Sequence, residues 1–486
     1  MAEELAGARV VVVGLGTSGR AALDVLATTR ARPVGIDAAE AAVEAARASG
    51  EVPAGVELRA SGGPEGLARD VLAAEPDVVV VSPGVPATSP LLRAATAAGL
   101  ELWSEVELAW RLQVAAGATT PWLTLTGTNG KTTTVGMLAS MLTAAGERAP
   151  AVGNVGTPIV RAVAEGAADV LAVELSSFQL HLTHTVAPEA SACLNVAPDH
   201  IDWHGSYEAY VADKARVYAR TRRACVYNVA DPQTRRMVED ADVAEGARAI
   251  GTTLEVPGVG ELGVVEGVLC DRAFGPRRQT HAEALGDLTD LAHLAPAGSP
   301  VPAHVAADAL AAAALARAHG LSPAHVRDGL RAYTAGAHRI ELVATRGGVS
   351  WVDDSKATNA HAAAASLAAQ ETGRVVWIAG GLAKGARFDE LVASVRDRLH
   401  AVVLIGLDRE PLRDALARHA GEVPLVEVDA GETGDVMSRA VAHAARLARP
   451  GDTVLLAPAC ASMDQFAGYG ERGAAFARAV RELGVS

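Results

Sequence analysis

The chain has 486 residues, 57 acidic against 43 basic, a formal net charge of −14, and half of its residues are apolar. This length exceeds one hydrophobic core and predicts two or three domains, while the acidic balance without a basic tract argues against a nucleic-acid partner. No apolar run is long enough to span a bilayer, the opening Met-Ala-Glu-Glu-Leu has no basic start of a signal peptide, and four cysteines without CxxC spacing fit reduced thiols, so a cytoplasmic monomer with no membrane partner is expected.

Short β-type runs alternate with Ala-rich helical stretches in three blocks, with boundaries expected near residues 112 and 336. Runs at 10–13, 34–36 and 78–81 read as buried parallel strands, as do 122–126, 170–173 and 192–196, and 375–378, 402–405 and 454–456. This βαβα rhythm predicts α/β domains with parallel sheets. In the first block, Gly14-Leu-Gly16-Thr17-Ser18-Gly19 follows a strand and opens a helix, and Asp37 ends the next strand. That is the arrangement of a Rossmann first turn, which cradles a diphosphate at a helix N-terminus. Ser82-Pro83-Gly84 adds a second loop at the carboxyl edge of the sheet.

Only four of the 43 basic residues are lysine: Lys131, Lys214, Lys356 and Lys384. A lysine amine can lose its proton and react; a guanidinium cannot. In the second block, Gly127-Thr128-Asn129-Gly130-Lys131-Thr132-Thr133 joins a strand to a helix start. Backbone N–H groups in such a loop hold phosphates, Lys131 would reach the β/γ oxygens and Thr132 would ligate Mg²⁺. Leu125 stands where the usual spacing has a first glycine, so this is a variant ATP loop. Glu174 ends the run 170–173, and Asp199-His200-Ile-Asp202-Trp-His204 follows. Glu174, His200 and Thr132 could together hold Mg²⁺; His200, Asp202 and His204 form a rival zinc set. Beyond Ser206, a good N-cap, Tyr207, Tyr210, Val211, Lys214, Val217 and Tyr218 share one helical face. A lysine amid an apolar face is either snorkelling or functional, and burial lowers its pKa. Residues 232–300 are Gly- and Pro-rich with short β-like pieces and yield no chemistry.

In the third block His338-Arg339 stands at the entrance. Asp353-Asp354-Ser355-Lys356-Ala-Thr358-Asn359 follows a strand-like pair, and a cation among hydroxyls suits a carboxylate substrate. Ala459-Cys460-Ala-Ser462-Met-Asp464-Gln-Phe466 and Tyr469-Gly-Glu-Arg472-Gly473 follow the last strand. Cys460 has no local histidine and reads as packing.

Taken in this order, these motifs resemble the Mur ligase family over nearly the whole chain, and the phosphate loop, Glu174 strand, Asp199-His200 and Lys214 are also similar to folylpolyglutamate synthases. The resemblance implies three domains: an N-terminal Rossmann-like UDP-binding domain (1–112), a central α/β ATPase with the phosphate loop (113–335) and a C-terminal Rossmann-like amino-acid domain (336–486). The segments 354–359, 459–466 and 472–473 are most like the members that join D-glutamate to UDP-N-acetylmuramoyl-L-alanine at the expense of ATP. By that resemblance Gly127–Thr133 and Arg339 handle ATP, and Lys131, His200 and Lys214 are catalytic. Thr132, Glu174, His200 and Lys214 bind two Mg²⁺ ions, with Lys214 carbamylated by CO₂. Gly14, Gly16, Thr17, Ser18, Asp37, Ser82, Pro83, Gly84 and Asn154 take the UDP-substrate, and Lys356, Thr358, Ser462 and Tyr469 take D-glutamate. Val305 and Asp308 stand where the family usually carries asparagines. The residues alone leave open an NAD-dependent dehydrogenase and a UDP-sugar-binding regulator.

Overall fold

The computed structural model describes residues 5–295, 300–334, 336, 338–429 and 436–483, so the expected boundary run 335–339 is described only at Gly336, His338 and Arg339. Three sheets carry the chain. The first holds β1 (Arg9–Val13), β2 (Arg32–Asp37), β3 (Glu57–Ala60), β4 (Val78–Val81) and β5 (Glu101–Trp103), all parallel, in the order β3-β2-β1-β4-β5. The second holds β6 (Trp122–Thr126), β7 (Ala151–Gly153), β8 (Leu171–Glu174), β9 (Ala190–Cys193), β10 (Ala224–Asn228), β11 (Arg248–Thr252), β12 (Glu261–Val265), β13 (Val268–Asp271) and β14 (Glu283–Asp287). Its order is β14-β13-β12-β11-β10-β9-β6-β8-β7. The third holds β15 (Glu341–Arg346), β16 (Val349–Asp353), β17 (Val375–Gly380), β18 (Leu399–Ile405), β19 (Leu425–Glu427) and β20 (Thr453–Leu456), in the order β15-β16-β20-β17-β18-β19.

These strands form where the sequence runs apolar on both faces, as parallel sheets covered by helices require. Val10 to Val13 and Trp122, Leu123 and Leu125 have essentially no exposed surface, and each such valine or leucine contributes about 1.5–3 kcal/mol of transfer free energy. One expected strand is displaced: the run 192–196 extends only to Cys193, and β9 starts two residues earlier at Ala190. Past Cys193 the chain leaves the ladder, and the Asn195 carbonyl accepts instead from Thr128 N in the phosphate loop. Residues 232–300 resolve into a helix, Pro232–Glu239, the parallel strand β11 and an antiparallel meander β12–β14 on the sheet edge.

The chain falls into two compact units, one of residues 1–291 with 305–333, the other of 292–304 with 334–486. The first unit contains both the first and second sheets. The helix Glu105–Ala115 joins them with two buried carboxylates. Glu105 accepts the Val160 N–H at 2.8 Å, at the start of the helix Ile159–Glu165, and Glu107 accepts the N–H groups of His184 and Thr185 at 2.7 and 2.9 Å. Burial pushes the Glu105 carboxyl up to about 7, against the two backbone N–H groups that favour its charge. Among the described residues, no helix is long and apolar enough to cross a membrane, and all four cysteines are buried and unpaired.

Candidate active site

In the first unit, the glycine-rich turn after β1 is shaped by close approach. Gly14 has φ +83°, and a Cβ on Gly19 would stand 1.9 Å from the Gly14 carbonyl oxygen, whereas space around Gly16 is open. Ser82 Oγ donates to Gly14 O at 2.7 Å, tying the Ser82-Pro83-Gly84 loop to this turn. Asp37 accepts the N–H groups of Leu15 (2.7 Å) and Ala39 (3.0 Å), so its carboxylate braces the turn itself. Thr17 and Ser18 begin the helix Thr17–Ala27, whose first turn has no acidic residue and no side-chain cap, leaving its N–H groups to an anion.

The phosphate loop leads from β6 into the helix Lys131–Ala144, which likewise has no side-chain cap and no acid in its first turn. Gly130 turns the chain at φ +83°. The segment after β9 clasps the loop: Asn195 Oδ1 accepts from Asn129 N (2.9 Å), Asn195 Nδ2 donates to Asn129 O (3.1 Å), and Thr128 N donates to Asn195 O (3.0 Å). Thr128 Oγ1 meets Tyr210 OH at 2.8 Å and accepts from Ala197 N at 2.9 Å. Thr132 is the second residue of the helix and Thr133 the third. Asp308 packs its carboxylate against this loop, because a Cβ on Gly130 would meet Asp308 Oδ1 at 2.2 Å.

Lys214 is 2% exposed, so the snorkelling alternative does not describe it. Its amine donates to Gly127 O at 2.8 Å and lies 4.8 Å from the Tyr210 ring centre. Lys131 Nζ donates to the same oxygen at 2.9 Å and to Thr128 O at 3.0 Å. Two lysine amines therefore converge on one carbonyl. Burial, and next the charge of Lys131, lower the Lys214 pKa to about 7, with Asp199 and Glu174 acting in the opposite sense. The expected apolar face is only partly helical: the helix spans Tyr207–Ala215, and Val217 and Tyr218 fall on a 3₁₀ turn, though both are buried.

Glu174 ends β8 at 1% exposure. Its Oε1 accepts from Asn154 Nδ2 at 2.8 Å, while its Oε2 is buried without a hydrogen-bond partner. His200 opens the short helix Ile201–His204 at φ +53°, with its ring 4.7 Å from Phe178. Trp203 Nε1 donates to Pro83 O at 3.0 Å, bringing the His200 segment to the second loop of the first sheet. The rival zinc set does not assemble: His204 is turned away into a buried bond to Asp213 (Nδ1 to Oδ2, 2.8 Å), while Asp202 is exposed. Burial raises the Asp213 carboxyl, but bonds from His181 and His204 outweigh it and hold the pKa down to about 2. Asn195, Tyr210 and Asp213 carry no role in the sequence reading; Tyr210 shared the Lys214 face, whereas Asp213 lies off it.

In the second unit, β16 delivers Asp353 and the loop that follows. Lys356 Nζ lies 3.8 Å from the Tyr469 ring centre, so two residues expected at the amino-acid site come together. Arg472, 1% exposed, donates to Ser355 Oγ (3.0 Å), Ser355 O (2.9 Å) and Cys460 O (3.1 Å), pinning the loop after β16 to the loop after β20 that bears Ser462. Burial lowers the Arg472 pKa to about 10 and raises that of Cys460 to about 12, so this thiol is no nucleophile. His338 Nδ1 bonds Asp353 Oδ2 at 2.7 Å, and burial lifts Asp354, near Arg339, to about 6. Thr358 is half-buried in the same loop. Lys384, to which the sequence reading gave no role, stands at φ +50° on the loop after β17, which pairs through Leu382 with Ala461.

These α/β sheets, with a glycine-lysine loop under a buried lysine on one unit and the Lys356–Tyr469 loop cluster on the other, have the arrangement of a nucleotide-dependent ligase of the Mur type. The chain matches the Mur ligase MurD-like N-terminal domain over residues 8–104, the Mur ligase middle domain over 125–253 and the Mur ligase glutamate ligase domain over 338–460. It belongs to the Mur ligase family. It is 54% identical to the UDP-N-acetylmuramoylalanine--D-glutamate ligase of Streptomyces coelicolor, over 100% of both chains. Among solved structures it resembles the UDP-N-acetylmuramate-alanine ligase MurC of Thermotoga maritima, with a TM-score of 0.54, 16% identity, and 98% and 99% of the two chains covered. It also resembles the Mycobacterium tuberculosis folylpolyglutamate synthase complexed with ADP, with a TM-score of 0.53, 17% identity, and 77% and 92% covered.

Proposed function

We propose that this chain is an ATP-dependent ligase that joins D-glutamate to the alanine carboxylate of UDP-N-acetylmuramoyl-L-alanine, a step in peptidoglycan precursor synthesis. Its full-length identity to ligases of that name supports the substrates. The observation that carries the chemistry is the convergence of Lys131 and Lys214 on the Gly127 carbonyl oxygen. A glycine turn with free helix N–H groups favours the UDP diphosphate as its ligand, and the dehydrogenase reading leaves this second site without use. Boundaries near 112 and 336 suit the division into UDP, ATP and amino-acid domains.

Two steps follow. An alanine carboxylate oxygen attacks the γ-phosphorus; the bond to the β,γ-bridging oxygen breaks, giving an acyl phosphate and ADP. The D-glutamate amine then attacks the carbonyl carbon, the C–O bond to phosphate breaks, and the nitrogen loses a proton. Loop N–H groups from Gly127 to Thr133 and the Lys131 ammonium stabilise charge on the transferring phosphoryl group. Asn154, fixed to Glu174, orients the muramoyl-alanine end. Lys356, Thr358, Ser462 and Tyr469 hold D-glutamate, and Arg339 assists the nucleotide.

The unpaired, buried Glu174 Oε2 is an oxygen fitted to a cation. Thr132, Glu174, His200 and Lys214 are the residues that would hold two Mg²⁺ ions, which when bound neutralise phosphate charge. A lysine with a pKa near 7 is partly a free amine at neutral pH and can add CO₂. The resulting carbamate replaces a cation beside Lys131 with an anion, relieving the repulsion between the two amines.

The acyl phosphate is tested by isotope transfer. With ¹⁸O in the alanine carboxylate, one ¹⁸O atom should appear in each phosphate released, read by mass spectrometry. Phosphate free of ¹⁸O would contradict the mechanism.

A further inference from the structure

We propose that Asp213 is a positioning residue for the nucleotide site, aligning the three segments that carry Glu174, His200 and Lys214. The inference rests on the reading above that those three residues would hold the Mg²⁺ ions of the nucleotide site. Asp213 Oδ2 accepts from His181 Nδ1 and from His204 Nδ1, each at 2.8 Å, and Oδ1 accepts from Arg216 Nε at 3.3 Å. Each histidine partner ends a helix that begins beside a site residue. His181 closes the helix Ser177–His181, which follows Glu174 after two residues and is fixed at its start by the Ser176–Gln179 capping box. His204 closes the helix Ile201–His204 that His200 opens. Asp213 itself immediately precedes Lys214 on the helix Tyr207–Ala215.

A second contact closes the brace. Ser177 Oγ lies 2.9 Å from His204 Nε2. With the His204 Nδ1–H directed to the carboxylate, Nε2 accepts a hydrogen bond from the Ser177 hydroxyl, and the ring is held in one tautomer and one orientation. Ser177, His204 and Asp213 thus stand in the order of a nucleophile, base and acid. Their exposures of 2%, 5% and 5% keep substrate from the hydroxyl, so the chain of bonds orients and does not react. Removing the carboxylate leaves a buried ring N–H unpaired and lets three elements shift independently. Asp213 touches none of the ligating groups directly, so its loss should cost no more than the lower end of the roughly 10–100-fold seen when a ligand's own hydrogen-bond partner is removed.

The test uses the full chain and a fluorescent ATP analogue, titrated with MgCl₂, alongside ¹³C NMR of the carbamate formed from ¹³C-bicarbonate. Asp213→Ala should raise the half-saturating Mg²⁺ about tenfold and weaken the carbamate resonance, while the affinity for the UDP-substrate without nucleotide stays within about twofold. Asp213→Asn, which keeps one acceptor oxygen, should fall between this variant and the parent. Ser177→Ala, which loosens only the His204 ring, should show a smaller shift in the same direction and serves if the Asp213 variants do not fold. A folded Asp213→Ala with the parent's Mg²⁺ dependence and carbamate signal overturns the proposal, as does an unshifted Ser177→Ala where the others fail to fold. A parent protein whose nucleotide binding ignores Mg²⁺ would instead overturn the reading of the site itself.

Discussion

At the scale of single residues, the phosphate loop depends on what cannot be added to it. Gly130 sits at φ +83° with the Asp308 carboxylate where a Cβ would go. Gly130→Ala therefore carries left-handed strain of about 1–2 kcal/mol plus a clash. It should weaken ATP binding at least about tenfold by titration calorimetry, and adding Asp308→Ala should recover only the part due to the clash. Lys214→Ala should abolish turnover. Short carboxylic acids such as formate should restore part of it, because they supply the carboxylate that the lysine would carry; a folded variant showing no rescue under saturating acid counts against the carbamate. Lys214 was legible in the sequence because one lysine interrupted an apolar stripe. Asp213 was not, since a polar residue next to that stripe reads as a solvent-facing position until His181 and His204 are seen to converge on it. His204 was legible only as a possible metal ligand, and its commitment to Asp213 appears when the two short helices fold together.

At the scale of elements, the buried parallel strands were readable because Val-rich runs leave no polar face. The exceptions have physical causes. Strand β9 begins in Ala190 and Ser191, which give little β signal, and the apolar Leu194 and Val196 beyond it belong to a loop that grips the phosphate turn. The meander β12–β14 is short and Gly-interrupted, so its alternation does not stand out. One interelement clamp makes a pH prediction. His319, at the end of the helix Ala303–His319, lies 2.9 Å from Glu189 and 3.1 Å from Glu147. The hydrogen bond to Glu189, against burial, raises its pKa above the usual 6.5. A raised histidine pKa contributes stability that is full below the unfolded value and fades as pH climbs through the folded value. His319→Gln should therefore cost on the order of 1–2 kcal/mol near pH 5.5, with the deficit shrinking towards pH 9. Denaturant midpoints of parent and variant across that range provide the check, and a deficit that grows with pH would contradict the assignment.

At the scale of the whole molecule, three sheets were legible from the βαβα rhythm, but the grouping of the first two into one unit was not. Glu105 and Glu107 contribute to that grouping: two acids at a helix start that read as ordinary first-turn residues are in fact buried against backbone N–H groups of Val160, His184 and Thr185, from the block of the second sheet. The residues proposed above fall on the same division: those assigned to UDP, nucleotide and lysine chemistry lie, Arg339 apart, in the first unit, and those assigned to D-glutamate in the second. The most direct measurement is phosphate release with ATP, Mg²⁺ and UDP-N-acetylmuramoyl-L-alanine, with D-glutamate, with L-glutamate and with neither. The account predicts sustained release only with D-glutamate. Equal release with L-glutamate, or binding of the UDP-substrate by folded protein without any release, would contradict it.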